Sequence, residues 1–276
     1  MHENELPIDD ALVRRLVDGQ FPEWAALPLR RIEPWGTVNA IYRLGDELSV
    51  RLPRLIEWSL DGRELDWLPK LAPLLPLAIP APLAIGEPAD GYPCRWSVVR
   101  WLEGAHGAAE PVQAARELAA FVRALRAVDA TGAPAIHDRL AHRDDDMRAV
   151  VAQCGERAVE VWEAALAAPA WDGAPVLCHA DLDARNWLVR DGRITGIIDW
   201  GGLAAGDPAA DVMVAWKLHS AEAVQVFRDV LGVDDHTWTR ARGWVVAQAA
   251  AALGYYTMEN NAPLVVESQR WLELAL

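Results

Sequence analysis

The spacing of apolar positions changes near Leu102, and the elements it predicts change with it. Leu12, Leu16 and Phe21 stand among charges behind Asp9 and Asp10, which predicts a short amphipathic helix with an acidic cap. From Leu29 the pattern shortens to strand-like runs over 29–34, 39–44 and 48–52, broken at Gly36 and at Gly45-Asp46. Leu65, Leu68 and Leu71 then recur at helical spacing over roughly 60–74, and two more strand-like runs, 83–86 and 95–101, flank a turn-rich stretch. Strands, one helix and two strands imply an antiparallel sheet with a helix against it.

Beyond Leu102-Glu103-Gly104 the periodicity is helical. Residues 111–128 start with a helix-initiating proline and align Leu118, Phe121, Val122 and Leu125 on one face. Further helices are predicted over 144–154, 157–167, 207–219, 221–231, 235–255 and 263–274. One β-like island interrupts them at 176–178, 186–189 and 194–198, with Asp191-Gly192 as a hairpin turn. The expected organisation is α+β, with a β-rich lobe over 1–102 and a helical lobe over 103–276.

Composition narrows the classes. A chain of 276 residues with 52% hydrophobic positions buries a real core and is too apolar for disorder. The longest uncharged run, 71–86, carries Pro73, Pro76, Pro80 and Pro82 and is too short and broken to span a bilayer. The acidic start has no apolar stretch, and Cys94, Cys154 and Cys178 form neither a metal-like pair nor a disulfide framework. A soluble, cytoplasmic protein is expected. The net charge of −14 argues against a general nucleic-acid binder. Only Lys70 and Lys217 among the 26 basic residues are lysine. Basic and acidic residues number 11 and 15 up to Leu102, and 15 and 25 after it.

The candidate chemistry sits in 176–202, where His179, Asp181, Asn186 and Asp199 fall at the ends of apolar strands. A carboxylate, an amide five residues on and a second carboxylate thirteen beyond suit metal-assisted phosphoryl transfer. One carboxylate takes the proton of an attacking hydroxyl, while amide and carboxylate oxygens hold a cation on nucleotide phosphates.

This stretch resembles the aminoglycoside phosphotransferase family, small-molecule kinases with a two-lobe, protein-kinase-like fold. The family's H-G-D-x-x-x-x-N loop corresponds to His179-Ala180-Asp181-Leu182-Asp183-Ala184-Arg185-Asn186, and its I-D-[FWL]-G to Ile198-Asp199-Trp200-Gly201. The G-D-P-x-x-D landmark appears as Gly206-Asp207-Pro208-Ala209-Ala210-Asp211. The resemblance implies that Asp181 is the catalytic base, with His179 beside it bracing the loop, and that Asn186 and Asp199 are Mg²⁺ ligands. Asp207 and Asp211 cap the following helix or tie down the loop. Leu188 and Ile198 form an apolar floor under adenine.

In the first lobe the resemblance assigns a nucleotide loop to Gly36, Thr37 and Asn39, which lacks the full G-x-G-x-x-G. Arg51 stands where the family carries a phosphate-binding lysine, with Glu64 as its partner and Glu57 as the competing choice. Ser49 leaves room for the base, and the main chain of Arg100 and Leu102 reads the adenine edge. The implied donor is ATP, with GTP possible, together with Mg²⁺. The implied acceptor is a small molecule, an aminoglycoside-type or other cationic antibiotic inactivated by O-phosphorylation. The acidic lobe, with Asp183, Asp144-Asp145-Asp146, Asp229, Asp234-Asp235 and Glu259, would attract such a cation, although ordinary solvated carboxylates produce the same charge. A kinase for a macrolide, sugar or amino alcohol is the alternative, and aromatic and aliphatic lining would mark a macrolide. A nucleotide-binding module with little transfer activity is a further one.

Overall fold

A computed structural model describes residues 5–32, 38–59, 63–136 and 140–276. Gly36 and Thr37 of the expected nucleotide loop lie outside the described residues. The chain divides into two compact units, one holding the residues up to Pro73 with Ala78–Glu103, the other Leu74–Leu77 with Gly104–Leu276.

In the first unit, α1 (Asp10–Gln20) begins where the Asp9 carboxylate accepts the Leu12 N–H at 2.7 Å, and it buries Leu12, Val13, Leu16 and Val17. Strands β1 (Leu29–Arg31), β2 (Asn39–Leu44), β3 (Leu48–Pro53), β4 (Pro82–Gly86) and β5 (Trp96–Arg100) form one antiparallel sheet in the order β1-β2-β3-β5-β4. Alternation along β2 sends Ala40, Tyr42 and Leu44 inward, where they meet Val50, Leu52, Val98 and the α1 stripe. After β3 come a short α2 (Ile56–Ser59) and α3 (Arg63–Leu71), the second falling within the stretch expected to be helical over 60–74.

The second unit opens with α4 (Pro111–Arg126), capped by the Glu110 carboxylate on the Val112 and Gln113 N–H groups. Then come α5 (Asp144–Ala152) and α6 (Glu156–Ala167). The β-island consists of β6 (Val176–Cys178), the hairpin β7 (Trp187–Arg190) and β8 (Arg193–Ile197), and β9 (Ala204–Gly206), which pairs with β6. Glu117 on α4 fastens the hairpin, accepting from Arg193 Nε and the Ile194 N–H, each at 2.9 Å. The chain ends with α7 (Ala209–Val212), α8 (Ala221–Leu231), α9 (Asp235–Tyr255) and α10 (Met258–Ala275).

Three local outcomes depart from the sequence pattern. Residues 207–219 do not form one helix: α7 stops at Val212, and Met213–Leu218 tightens into a fully buried 3₁₀ segment. The last helix starts five residues early because Thr257 and Asn260 form a reciprocal capping box, and it bends at Asn261 just before Pro263. Strand β9 was not foreseen because Ala204-Ala205-Gly206 carries no alternation. Among the described residues, no helix is long and apolar enough to cross a membrane.

Helix α9 is the unit's central rod, buried on several faces from Thr237 to Ala250. It crosses α6 so closely that a Cβ on Gly243 would lie 2.3 Å from the Ala165 Cβ. Gly243→Ala is therefore expected to destabilise the protein by about 1–3 kcal/mol through overpacking, although alanine favours helix. Urea unfolding measures this, and an unchanged or raised midpoint would contradict the close crossing.

Candidate active site

The loop between β6 and β7 carries the candidate chemistry, and its main chain is held from several sides. The Asp211 carboxylate, fully buried, accepts the His179 N–H at 2.9 Å and the Ala180 N–H at 2.8 Å. Between them the backbone turns left-handed, with φ 64° at Ala180. An L-residue pays roughly 1–2 kcal/mol for that conformation, and the two hydrogen bonds offset it. Gly202 permits the close approach behind the loop, since a Cβ there would lie 2.9 Å from the His179 carbonyl oxygen.

His179, Asp181, Asn186 and Ile198 close a ring of hydrogen bonds. The His179 Nε2–H donates to the Ile198 carbonyl at 3.1 Å, which leaves Nδ1 to accept the Asp181 N–H at 3.3 Å. Asn186 Nδ2 donates to both the main-chain oxygen and Oδ2 of Asp181, at 2.8 and 2.9 Å. The Ile198 N–H completes the circuit to the Asn186 carbonyl at 2.9 Å. His179 is buried and its pKa is driven down by that burial, so it stands as a neutral brace. Both ring nitrogens are occupied, which leaves it no proton-transfer role in this geometry. Trp200 holds it edge-on at 4.7 Å, packs against Phe121 of α4 at 5.9 Å, and donates its Nε1–H to the Ile197 carbonyl.

Asp199 follows Ile198 in the left-handed region, with φ 62° and ψ 71°. Non-glycine residues in this region cluster at functional loops. With the side-chain amide hydrogens of Asn186 turned to Asp181, its side-chain Oδ1 is left as a hard donor, and Asp199 supplies carboxylate oxygens. Such a set fits Mg²⁺, which takes few protein oxygens and completes its shell with water and phosphate. Among the described residues no group of three or more His, Cys, Asp and Glu side chains forms a metal cage.

Burial raises the pKa of Asp181 above the ordinary carboxylate value, while Lys217 and His179 pull it down. Partial desolvation raises the proton affinity of a carboxylate. Asp183 is fully buried, and burial works to raise its pKa. The hydrogen bonds from Arg185 Nε and Nη2, each 2.9 Å, and the Lys217 charge bring it down to about 2. Lys217 itself is buried, donates to the Leu182 carbonyl at 3.2 Å and lies 3.5 Å from Asp183 Oδ2. Sequence reasoning missed this lysine. Its signal was a lone cation inside the apolar run from Val212 to Leu218, in a chain with one other lysine.

The two expected jobs of the G-D-P-x-x-D aspartates are divided between them. Asp207 accepts the Ala209 N–H at 2.9 Å and a fork from Arg240 at 2.7 and 3.0 Å, whereas Asp211 ties the loop. Leu188 lies half-buried on β7, and its carbonyl accepts from Thr195 Oγ1 at 3.2 Å. In the first unit, Arg51 on β3 meets Glu64 of α3 at 3.1 Å, the pairing expected in preference to Glu57. Ser49 is buried two residues earlier on the strand, Asn39 starts β2, and Arg100 ends β5 with Leu102 just beyond.

A cavity of about 340 Å³ borders the loop at Ala180. Trp244, Ala247 and Ala251 line it along one stripe of α9, with Met147 and Met213 among the other walls. Asp207 is its one carboxylate, already engaged by Arg240. Five of the eight acidic residues named as attractors of a cation, Asp183 among them, have partners of their own. Asp144 accepts from Trp162 and Arg148, Asp229 from Gln225, Asp234 caps α9 and Asp235 pairs with Arg228. Asp145, Asp146 and Glu259 lie exposed in the first turns of α5 and α10.

A family model described as "Phosphotransferase enzyme family" matches residues 29–244. The GDP and kanamycin complex of APH(2")-IIia superposes with a TM-score of 0.71 at 18% identity, covering 96% of this chain and 98% of that one. The ADP-bound aminoglycoside phosphotransferase APH(2'')-Ib gives 0.62 at 17% identity, covering 96% and 98%. Macrolide 2'-phosphotransferase MphH from Brachybacterium faecium gives 0.61 at 27% identity, covering 98% and 97%. No curated protein matches the chain.

Replacing Asp211 by alanine removes the acceptor from two buried N–H groups, each worth about 1–3 kcal/mol when orphaned. Asp211→Ala is expected to lower stability by about 2–5 kcal/mol on that basis, with the loss read by chemical denaturation. Stability within about 0.5 kcal/mol of the parent, the range of an ordinary surface change, would show that the loop stands without this carboxylate.

Proposed function

The chain belongs to the phosphotransferase enzyme family and is an enzyme of phosphoryl transfer; from that premise we propose that it phosphorylates a hydroxyl of a small, largely apolar antibiotic of the macrolide class, with a nucleoside triphosphate as donor. The observation that carries this reading is the apolar cavity against Ala180, one residue from Asp181. Its lining favours an acceptor with an aliphatic face, and the 27% identity to a macrolide phosphotransferase points the same way.

In this reading the Asp181 carboxylate accepts the proton of the acceptor hydroxyl as its oxygen bonds to the γ-phosphorus. The bond from that phosphorus to the β–γ bridging oxygen breaks, and the nucleoside diphosphate leaves. The chain's contribution is orientation of the attacking oxygen and stabilisation of charge. Asn186 and Asp199 would hold Mg²⁺, which when bound neutralises charge on the phosphates. Arg51, steadied by Glu64, supplies a further phosphate contact as a planar fork. ATP and GTP are both admissible donors, and GDP and ADP occupy two of the similar structures.

A polycationic aminosugar is the second reading, favoured by the 25 acidic residues after Leu102 and by the fold similarity to aminoglycoside enzymes. The pairing or capping of several of those carboxylates, Asp144, Asp183, Asp207 and Asp234 among them, weighs against it. A turnover screen with Mg²⁺ and either nucleotide, across macrolides and aminoglycosides, separates the two. A macrolide gaining one phosphate by mass spectrometry is expected, and turnover confined to aminoglycosides would reverse the assignment. Asp181→Asn should lower kcat by about 10²–10⁴-fold with nucleotide binding retained. Full activity in that variant removes Asp181 as the base.

A further inference from the structure

Lys217 lies at the base of the catalytic loop, in the buried 3₁₀ segment after α7. Its side chain and that of Asp183 are each 0% exposed, and the Trp271 ring of α10 covers the ammonium at 4.9 Å. The cation therefore touches three things: the Leu182 carbonyl, the Asp183 carboxylate and an aromatic face.

Stability alone is a poor reason for such a pair. Desolvating two charges costs several kcal/mol per ion, and apolar replacements of similar volume are often as stable. The residue type is selective as well. The chain uses lysine at two of its 26 basic positions, and the other, Lys70, is exposed on α3. A slender stem with a compact charge fits a closed site beneath a loop, where a guanidinium fork does not.

The remaining contacts show what the pair can do. Asp211, His179 and Asn186 secure residues 179–181, and the Ile198 N–H secures residue 186. The stretch between them, Leu182-Asp183, is anchored by Lys217 and by the Asp183–Arg185 fork. Leu182 is itself buried, so its carbonyl would be orphaned without the ammonium.

We propose that Lys217 is a positioning residue for phosphoryl transfer: by fixing the Leu182 carbonyl and the Asp183 carboxylate it sets the direction in which the adjoining Asp181 side chain points. The proposal rests on the reading of Asp181 as the base. Misplacing a reacting group by an ångström costs about 100-fold in rate, so a slack anchor here is visible in kcat before it is visible in binding.

The test compares Lys217→Met, Lys217→Arg and the double variant Lys217→Met/Asp183→Asn with the parent and Asp181→Asn. Each is read below its own melting temperature by three measurements. These are hydrogen exchange of the 179–186 peptide, calorimetric ATP binding with Mg²⁺, and nucleotide turnover with water or acceptor. In Lys217→Met the loop amides should exchange at least about tenfold faster, and kcat should fall about 10–100-fold with the nucleotide dissociation constant held. The neutral double variant should recover melting temperature but not kcat, which a merely structural role does not predict. Unchanged loop exchange in Lys217→Met, or kcat returning with stability in the double variant, overturns the proposal. Should Lys217→Met not fold, Lys217→Arg and the double variant decide by the same readouts. Survival of turnover in Asp181→Asn instead overturns the assigned base, while its loss there with full kcat in Lys217→Met overturns the Lys217 role alone.

Discussion

A single buried carboxylate, Asp211, underlies the arrangement of the loop between β6 and β7. It accepts two consecutive N–H groups at the point where the chain turns left-handed through Ala180. Burial raises its pKa, and His179 and the two N–H groups oppose the rise. Without it, the reversal between β6 and the loop has two orphaned donors and a strained residue. With it, the His179 ring meets both the Asp181 N–H and the Ile198 carbonyl, and the Asp181 carboxylate and the Asn186 amide are set relative to each other. Trp200 and Gly202 then close on the back of the same turn, one by filling space and the other by leaving it. The second left-handed residue, Asp199, lies on the far side of Ile198. Two strained residues separated by a hydrogen-bonded ring mark the segment as one selected for geometry rather than for stability.

Charge in this protein is organised locally. The −14 total invites a picture of an acidic lobe attracting a cation, but most of the named carboxylates of the second unit have nearby work. They cap helices, as Glu110 and Asp234 do, or receive arginine forks, as Asp183 and Asp207 do. A capped or paired carboxylate projects a weak field into solvent at physiological salt. The cavity beside the loop is lined mainly by methionine, alanine, isoleucine and tryptophan, with Arg143 and Gln248 as further polar groups and its one carboxylate already bound to Arg240. Net charge constrains solubility and excludes broad partner classes, but which surface a ligand meets depends on where each charge is spent.

The α+β, protein-kinase-like architecture was legible because its elements repeat at their own periods. Strands 39–44 and 176–178 and the helix over 235–255 fall where their apolar spacing and caps place them. The loop motif was legible because a carboxylate, an amide and a second carboxylate stand at fixed intervals beside short apolar strands. What escaped was decided by tertiary packing. Ala204-Ala205-Gly206 becomes a strand only because β6 offers an unpaired edge. The segment after α7 tightens to 3₁₀ because all six of its residues are buried, a state that local spacing does not announce. Lys217 escaped for the same reason, since its partners are 34 and 35 residues away in sequence.

The alanine at position 180 shows how the site trades strain for shape. The related motif carries glycine there, which enters the left-handed region without the Cβ penalty. Alanine accepts that penalty, and the residue borders the apolar cavity. Glycine would relax the backbone at that position. The Asp211 hydrogen bonds offset the strain, so a carboxylate on one side of the turn permits an apolar surface on the other. Asp211 belongs to the G-D-P-x-x-D pattern that accompanies glycine in the related motif, so its two hydrogen bonds do not depend on alanine; they are what lets alanine stand where glycine would be free of strain.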